Sequence, residues 1–412
     1  MKRTAIAVSI CLGIAPPAAY AFDWSLRTSQ SETVELNSNQ FLRSSPSPSV
    51  GAYSTITANA QARTPTSKFD FDADGTFRKY WGPGIDGFPS ENLNYGFRGR
   101  YEASGKNSFD RQFVEGAWRQ QSTSLALLNQ LGVVLPVNGF LNTLTGSGGI
   151  DRSITAKDQV SLFATSTRTS YEPSGGGGTP LTDTLARGVW RHNYNSQTTG
   201  IVSSEAELLN YENATSTRVQ IYRNQLGIDT TLSPVLSFRG NVGAINLLTE
   251  GGVNPLAGIG LNSPTSSSLL DWIGDAVITY RVLKNTTLTL LANQSIGPSV
   301  VGSLFKQNTV SATLNHNINS LSSLSFSASG NRQISSTSSD FVSASATYSY
   351  SFTRALSAQL TYRYLHRFAS RGGGSIFDPI TGTPTVSGLG PADSNSIMLV
   401  VSHNYTVLPR GH

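Results

Sequence analysis

From Asp340 to Arg363 the chain alternates between apolar and polar residues almost without error. Val342, Ala344, Ala346, Tyr348, Tyr350 and Phe352 interleave with Ser343, Ser345, Thr347, Ser349 and Ser351. After a break at Thr353-Arg354 the pattern resumes, with Leu356, Ala358, Leu360, Tyr362 and Tyr364 set against Ser357, Gln359, Thr361 and Arg363. Successive side chains on a strand point to opposite faces, so each run builds one oily face and one hydroxyl-rich face. Each run is about ten residues or longer, enough to cross a bilayer when tilted. Strands of soluble sheets usually stop at about five or six residues. Long, Ser/Thr-rich, alternating hairpins predict an all-β chain folded as a transmembrane antiparallel up-and-down β-barrel.

The composition agrees. Charged residues make up 13% of the chain, against roughly 25% in soluble domains. Hydrophobic residues, at 38%, are also sparse; Ser, Thr, Asn and Gly take their place. One face in lipid and one in a wet lumen produces this mixture. After residue 21 nothing approaches about eighteen consecutive apolar residues, so no transmembrane helix is expected. Residues 1–21 read as a secretory signal peptide. Lys2 and Arg3 form the positive start, Ala5 to Ile14 the short apolar stretch, and Ala19-Tyr20-Ala21 the cleavage site. Phe22 then begins the mature barrel, 22–412. Cys11, the single cysteine, lies in the signal; the mature chain is left without a thiol, which excludes disulfides and Cys-based metal sites. The formal charge of +5 falls by two when Lys2 and Arg3 leave, and so mild an excess does not argue for nucleic acid.

Other strands follow the same rule. Leu93, Tyr95, Phe97, Tyr101 and Ala103 oppose Asn92, Asn94, Arg98, Arg100 and Glu102. Leu236, Phe238, Val242 and Ala244 oppose Ser237, Arg239 and Asn241; comparable pairs of faces run through 310–318 and 323–331. Tight turns fall at Ser233-Pro234, Lys284-Asn285, Asn319-Ser320 and Thr353-Arg354, whereas 247–270, 297–304 and 369–394 form longer, Gly-rich connections. Short turns on one side and long loops on the other are the periplasmic and extracellular ends of an outer-membrane barrel of about fourteen to eighteen strands. Between Gln120 and Lys157 the pattern fails: Leu125 to Leu135 is apolar without alternation, and Asn138 to Gly149 reads as loop. A split strand and a plug-like insertion over 130–157 both remain open. The last strand is expected at Asn395 to Tyr405.

Taken together, these features resemble the type-2 family of outer-membrane β-barrel porins, some of which are associated with exopolysaccharide export and with bacterial protein-sorting systems. The resemblance covers Phe22 to Tyr405 and includes the amphipathic opening Trp24 to Leu36 and the Ser/Pro loop Ser44 to Ser49. Ile397, Leu399, Val401 and the terminal Tyr405 are similar to the C-terminal signal read by barrel-assembly machinery, although Thr406 to His412 follow the aromatic residue. The resemblance implies a Gram-negative outer-membrane location and passage of polar solutes or exopolysaccharide. The expected partners are outer-membrane lipid, lipopolysaccharide, the assembly machinery and polysaccharide. No cofactor or chemical step is implied. Three alternatives stand beside it: a structural or assembly-linked barrel without an open pore, a barrel enzyme such as a lipase or protease, and a secreted β-solenoid adhesin, which should show a short repeat that is not visible.

Individual motifs carry less. Asp70-Phe71-Asp72-Ala73-Asp74-Gly75 matches the first half of a calcium loop, but Trp81 stands where the closing Glu belongs, and the alternation with Phe69 and Phe71 favours lumen-facing carboxylates on a strand. The five histidines have no metal-ligand spacing; His316 shares the parity of Val310, Ala312 and Leu314 and reads as interfacial rather than catalytic. No G-x-S-x-G elbow or P-loop occurs, and no G-x-G-x-x-G stands in a strand-to-helix context, so an enzyme is not expected. Gly175–Gly178 and Gly372–Gly374 read as flexible loops. Tyr80, Trp81, Tyr95, Tyr101, Trp190, Tyr194, Tyr348, Tyr350, Tyr362, Tyr364 and Tyr405 are expected mostly in the interfacial aromatic girdle, with sugar stacking in the lumen as the sharper alternative. Arg98, Arg100, Arg239, Arg281 and Arg363 take the polar parity of their strands. As pore-lining groups they would draw anions or acidic sugars, unless they pair with lumen acids such as Asp70, Asp72 and Glu102.

Overall fold

Alternation fixes which face each residue takes; hydrogen bonding then decides how the strands join. The computed structural model describes residues 23–85, 89–105, 109–123, 139–172, 178–212, 216–250, 266–298, 304–334, 339–369, 376–377, 384–386 and 390–408. The signal segment, Leu125–Leu135 and both Gly runs apart from Gly178 lie outside them. The strands are β1 Asp23–Asn37, β2 Ser49–Arg63, β3 Ser67–Trp81, β4 Glu91–Ser104, β5 Arg111–Ser122, β6 Phe140–Ser153, β7 Asp158–Glu172, β8 Leu181–Asn193 and β9 Thr198–Tyr211. They continue with β10 Arg218–Ser233, β11 Leu236–Glu250, β12 Ser266–Leu283, β13 Thr286–Pro298, β14 Leu304–Asn317, β15 Ser322–Ile334, β16 Ser339–Ser351 and β17 Leu356–Arg367. A small hairpin, β18 Ile376–Phe377 with β19 Pro384–Val386, stands apart, and β20 Ala392–Leu408 ends the sheet.

The barrel strands pair antiparallel with their chain neighbours, and β20 closes onto β1 through Val34↔Leu399 and Arg27↔Thr406. The result is a closed, eighteen-stranded up-and-down β-barrel. Closure satisfies the ladder hydrogen bonds of every strand, the condition for crossing lipid with strands. Thr406 to Leu408, which follow the terminal aromatic, thus belong partly to the closing strand.

The short connections, among them 64–66, 154–157, 194–197 and 352–355, lie at the end that holds both termini. Their chemistry repeats. Thr64, Thr155, Asn195, Asn319 and Thr353 each accept backbone N–H bonds from residues two and three positions on, as in Thr353 Oγ1 with Ala355 and Leu356 (3.1 and 2.9 Å). A short polar side chain that mimics the turn carbonyl is what makes a tight reversal cheap. The anticipated turns at Ser233-Pro234, Lys284-Asn285, Asn319-Ser320 and Thr353-Arg354 all fall here.

One expectation is corrected. Asn138 lies outside the described residues, but Phe140 to Gly149 is not loop: β6 occupies Phe140–Ser153 and pairs along its length with β5 and β7. Gly146, Gly148 and Gly149 dilute its pattern, but Leu144 and Ile150 keep the outward parity. With β6 in place, Ser122 and Phe140, where β5 ends and β6 begins, pair at the long-loop end.

The outward face carries an apolar belt that includes Ile56, Phe97, Leu226, Val310 and Leu399; Leu226 and Val310 are each 64% exposed. A hydrophobic surface of this extent belongs in lipid, not in water. Trp81, Tyr95, Tyr101, Trp190, Tyr348, Tyr362 and Tyr405 are on it. Tyr80 is not: it is buried on the inner side, in phase with Asp70, Asp72 and Asp74. His316 keeps the outward parity and bonds Thr286 Oγ1 through Nδ1 (2.7 Å).

Candidate functional site

The inner wall is divided by strand. Glu35, Tyr53, Arg78, Gln307, Ser329 and Arg363 come from opposite sides of the sheet yet border one internal cavity, which identifies their parity as the lumen side. On β15–β17 that parity carries hydroxyls, which bond across strands: Ser327 to Ser345 (2.8 Å), Ser329 to Ser343 (2.7 Å) and Thr347 to Thr361 (3.0 Å). Apart from Arg363 and Arg367 towards its long-loop end, this wall is uncharged and wettable.

One set of charges gathers on β3–β5. Arg98 donates to Asp72 Oδ2 through Nε and Nη2 (3.2 and 2.9 Å), and Asn59 donates to the other oxygen (2.6 Å). Arg100 reaches Glu102 and Glu115 (both 3.3 Å) and lies over the Phe113 ring (4.2 Å). Lys68 and Gln61 hold Asp70 (2.8 and 2.6 Å), and Arg119 holds Asp74 (2.6 Å). The three aspartates therefore stand on a strand, each with its own partner, and do not form a cation loop. Among the described residues no group of three or more His, Cys, Asp or Glu is arranged to hold a metal ion.

Of the remaining arginines singled out by parity, Arg239 pairs with Asp229, and Arg363 pairs with Glu35 (3.5 Å). Arg281, at the short-turn end, makes no ion pair among the described residues. Four of the five are thus matched by carboxylates, which flattens the field they cast into the lumen.

The largest surprise is on β9–β12. Leu209, Tyr211, Val219, Ile221, Ile245 and Leu247 are apolar residues in lumen phase near the long-loop end, and all are buried. They are covered by the end of the β13–β14 hairpin. The β12–β13 ladder stops at Gly274↔Gln294, although β12 begins at Ser266 and β13 runs on to Pro298. Beyond that point the hairpin leans into the lumen, so that its formerly outward face packs on the inner wall. Ile296 and Leu304 complete the buried cluster with Ile273.

Polar contacts fix the lean. Lys306 Nζ meets Asp271 Oδ2 at 2.7 Å, Gln294 Nε2 donates to the Trp272 carbonyl at 2.6 Å, and Arg223 Nη2 donates to the Ile296 carbonyl at 3.0 Å. Arg223 is itself clasped by Glu205 and Glu207. Sequence parity assigns Arg223, Glu205 and Glu207 to the lumen, but nothing in their spacing signals the hairpin they hold.

Opposite the hairpin, the connection 38–48 also turns inward. Leu42, at φ 47°, is buried, and Asn39 Nδ2 donates to the carbonyls of Arg43 and Asp393 (2.8 and 3.0 Å). Between this loop and the hairpin lies a cavity of about 780 Å³, with Gln40 and Leu42 at one border and Phe305 and Gln307 at the other. Tyr53 donates to Glu35, and the Tyr53 and Tyr80 rings meet edge-on at 5.5 Å.

No family model and no curated protein sequence matches the chain. Among solved structures it is similar to OccAB4 of Acinetobacter baumannii, with 10% identity over 95% of this chain and 100% of that one and a TM-score of 0.47. It is also similar to the FrpB iron transporter of Neisseria meningitidis (8% identity, 93% and 81% covered, TM-score 0.49) and to OccK8 (OprE) of Pseudomonas aeruginosa (11%, 94% and 100%, 0.48). The architecture rests on the chain's own strand pairing.

Proposed function

We propose that the chain is an outer-membrane channel for small polar solutes. One observation carries this reading: a closed barrel with an apolar exterior encloses a polar cavity that two inward-folded segments border rather than fill. Arg98, Arg100, Arg239, Arg281 and Arg363, with Asp70, Asp72 and Glu102, line the proposed path. Because most of them are paired, they tune the path and do not make it strongly selective. The narrowing between the loop 38–48 and the hairpin favours small solutes over an exopolysaccharide chain. In this reading the protein reaches the outer membrane by its signal peptide and the assembly machinery and sits among lipid and lipopolysaccharide.

Planar-bilayer recording tests it. The purified barrel should give discrete conductance steps with a reversal potential only weakly displaced by a salt gradient. Arg98→Ser with Arg100→Ser frees Asp72 and Glu115, leaves Glu102 only the more distant Arg111 (3.8 Å), and should shift that potential towards cation preference. A folded barrel that conducts nothing would support the sealed, structural alternative.

A further inference from the structure

The cavity borders one cation that no carboxylate among the described residues neutralises. Its bordering charges are Glu35, Arg78 and Arg363. Glu35 and Arg363 pair with each other, and Glu35 also accepts hydrogen bonds from Tyr53 and from Asn37 Nδ2 (3.2 Å). Arg78 has no carboxylate partner among the described residues. Its guanidinium lies 5.2 Å from the centre of the Tyr53 ring, and its Nε is buried without a hydrogen-bond partner. A further buried polar atom at the same cavity, Gln40 Oε1, has no hydrogen-bond partner among the described residues. Buried donors and acceptors are normally satisfied, and leaving one unmade is unfavourable by about 1–3 kcal/mol, more for a charged group. Grouped around one enclosed space, a charged donor and an amide acceptor are both turned towards whatever the lumen carries past them.

The rest of the border specifies the ligand further. Gln307 and Asn331 both donate their amide N–H to Thr309 Oγ1 (3.4 and 3.3 Å), which leaves their amide oxygens free to accept. Ser329, Ser343 and Ser394 add hydroxyls. The volume, about 780 Å³, falls in the range of roughly 300–1,000 Å³ typical of small-molecule sites. One uncompensated guanidinium suits a single carboxylate. Free amide oxygens and hydroxyls suit a ligand rich in O–H donors, and the Tyr53 and Tyr80 rings suit the flat face of a sugar ring.

We propose that this cavity binds a hydroxylated monocarboxylate of sugar-acid size, with the carboxylate on Arg78 and the hydroxyls towards Gln307 and Asn331. The proposal rests on the channel reading for its purpose but not for its test. Calorimetric titration of the detergent-solubilised full-length barrel with glucuronate, glucose and acetate reads the site without requiring conduction. Glucuronate should bind more tightly than either of the others. Arg78→Gln should weaken glucuronate by roughly tenfold or more, the worth of one charge-assisted hydrogen bond, and leave it no better than glucose. Arg78→Lys should recover part of the loss. Retained gel-mobility change on boiling shows that each variant is folded.

Equal binding of glucuronate and glucose overturns the proposal, as does an Arg78→Gln barrel that still prefers glucuronate. Acetate binding as tightly as glucuronate overturns the role of the hydroxyls. Bilayer current recorded with the same preparations separates the two readings. Glucuronate binding without conductance retains the site and removes the channel; conductance without glucuronate binding does the reverse.

Discussion

Replacing Arg223 with methionine is expected to lower the stability of the barrel's long-loop end by about 3–5 kcal/mol, the usual effect of removing one partner from a buried ionic cluster. Arg223 is clasped by Glu205 and Glu207, and the Glu207 side chain is only 5% exposed. Glu205 keeps a distant second cation in Arg187, at 4.0 Å. Glu207 has no other cation partner among the described residues. Nearby, Asp183 Oδ1 is buried and unpartnered. The substitution therefore leaves Glu207 in poorly hydrated space with no counter-charge among the described residues, and Glu205 with only the distant Arg187. It also removes the donor to the Ile296 carbonyl, so the hairpin loses one of its three polar ties. The measurement is the temperature at which unboiled protein shifts to the mobility of the unfolded chain. Arg223→Met should shift at a distinctly lower temperature, and adding Glu205→Gln and Glu207→Gln should restore much of the difference. An Arg223→Met barrel that shifts where the wild type does would show that lumen water already solvates these carboxylates.

That cluster marks the boundary of what the sequence can say. Period-two alternation reports which side of its own strand a residue takes, and for β4, β16 and β17 this was enough, because the neighbours continue the same curved wall. Turn chemistry was legible for the same local reason: Asn319 and Thr353 act on residues two and three positions away. β6 was missed because Gly146, Gly148 and Gly149 remove apolar side chains from its pattern, while the neighbours that hold it as a strand are distant in sequence. Position near a strand end sends Tyr80 to the girdle, although counting from Asp72 through Asp74 and Arg78 places it inside. The pairing of Arg98 with Asp72 and of Arg363 with Glu35 depends on register across strands, which parity alone does not contain. The lean of the hairpin depends on contacts such as those of Ile296 with the β9–β12 cluster, and no local rule encodes them.

Shortening that hairpin is expected to raise single-channel conductance several-fold. Ile296 and Leu304 fill the lumen side of β9–β12, and Phe305 and Gln307 on the same segment form one border of the cavity. Replacing 296–306 with a tight Asn-Gly reversal keeps the β13–β14 ladder from Ser295↔Gln307 downwards and removes the obstruction. The deletion has a second consequence. Ile221, Ile245 and Leu247 lose their cover, and each apolar side chain returned to water costs about 1.5–3 kcal/mol. A shortened barrel could therefore be wider but prone to collapse, so the test pairs it with Ile221→Thr, Ile245→Thr and Leu247→Thr, which make the newly exposed wall wettable. The combined variant should form the same heat-modifiable barrel and carry larger, quieter current steps than the wild type. Conductance that stays unchanged in this variant would mean that the narrowest part of the path lies elsewhere, with the loop 38–48 as the next segment to remove. Lys306→Ala gives the graded control. It breaks the 2.7 Å contact to Asp271 but leaves Ile296 and Leu304 in place, and so should add flicker between current levels without reaching the step size of the shortened barrel.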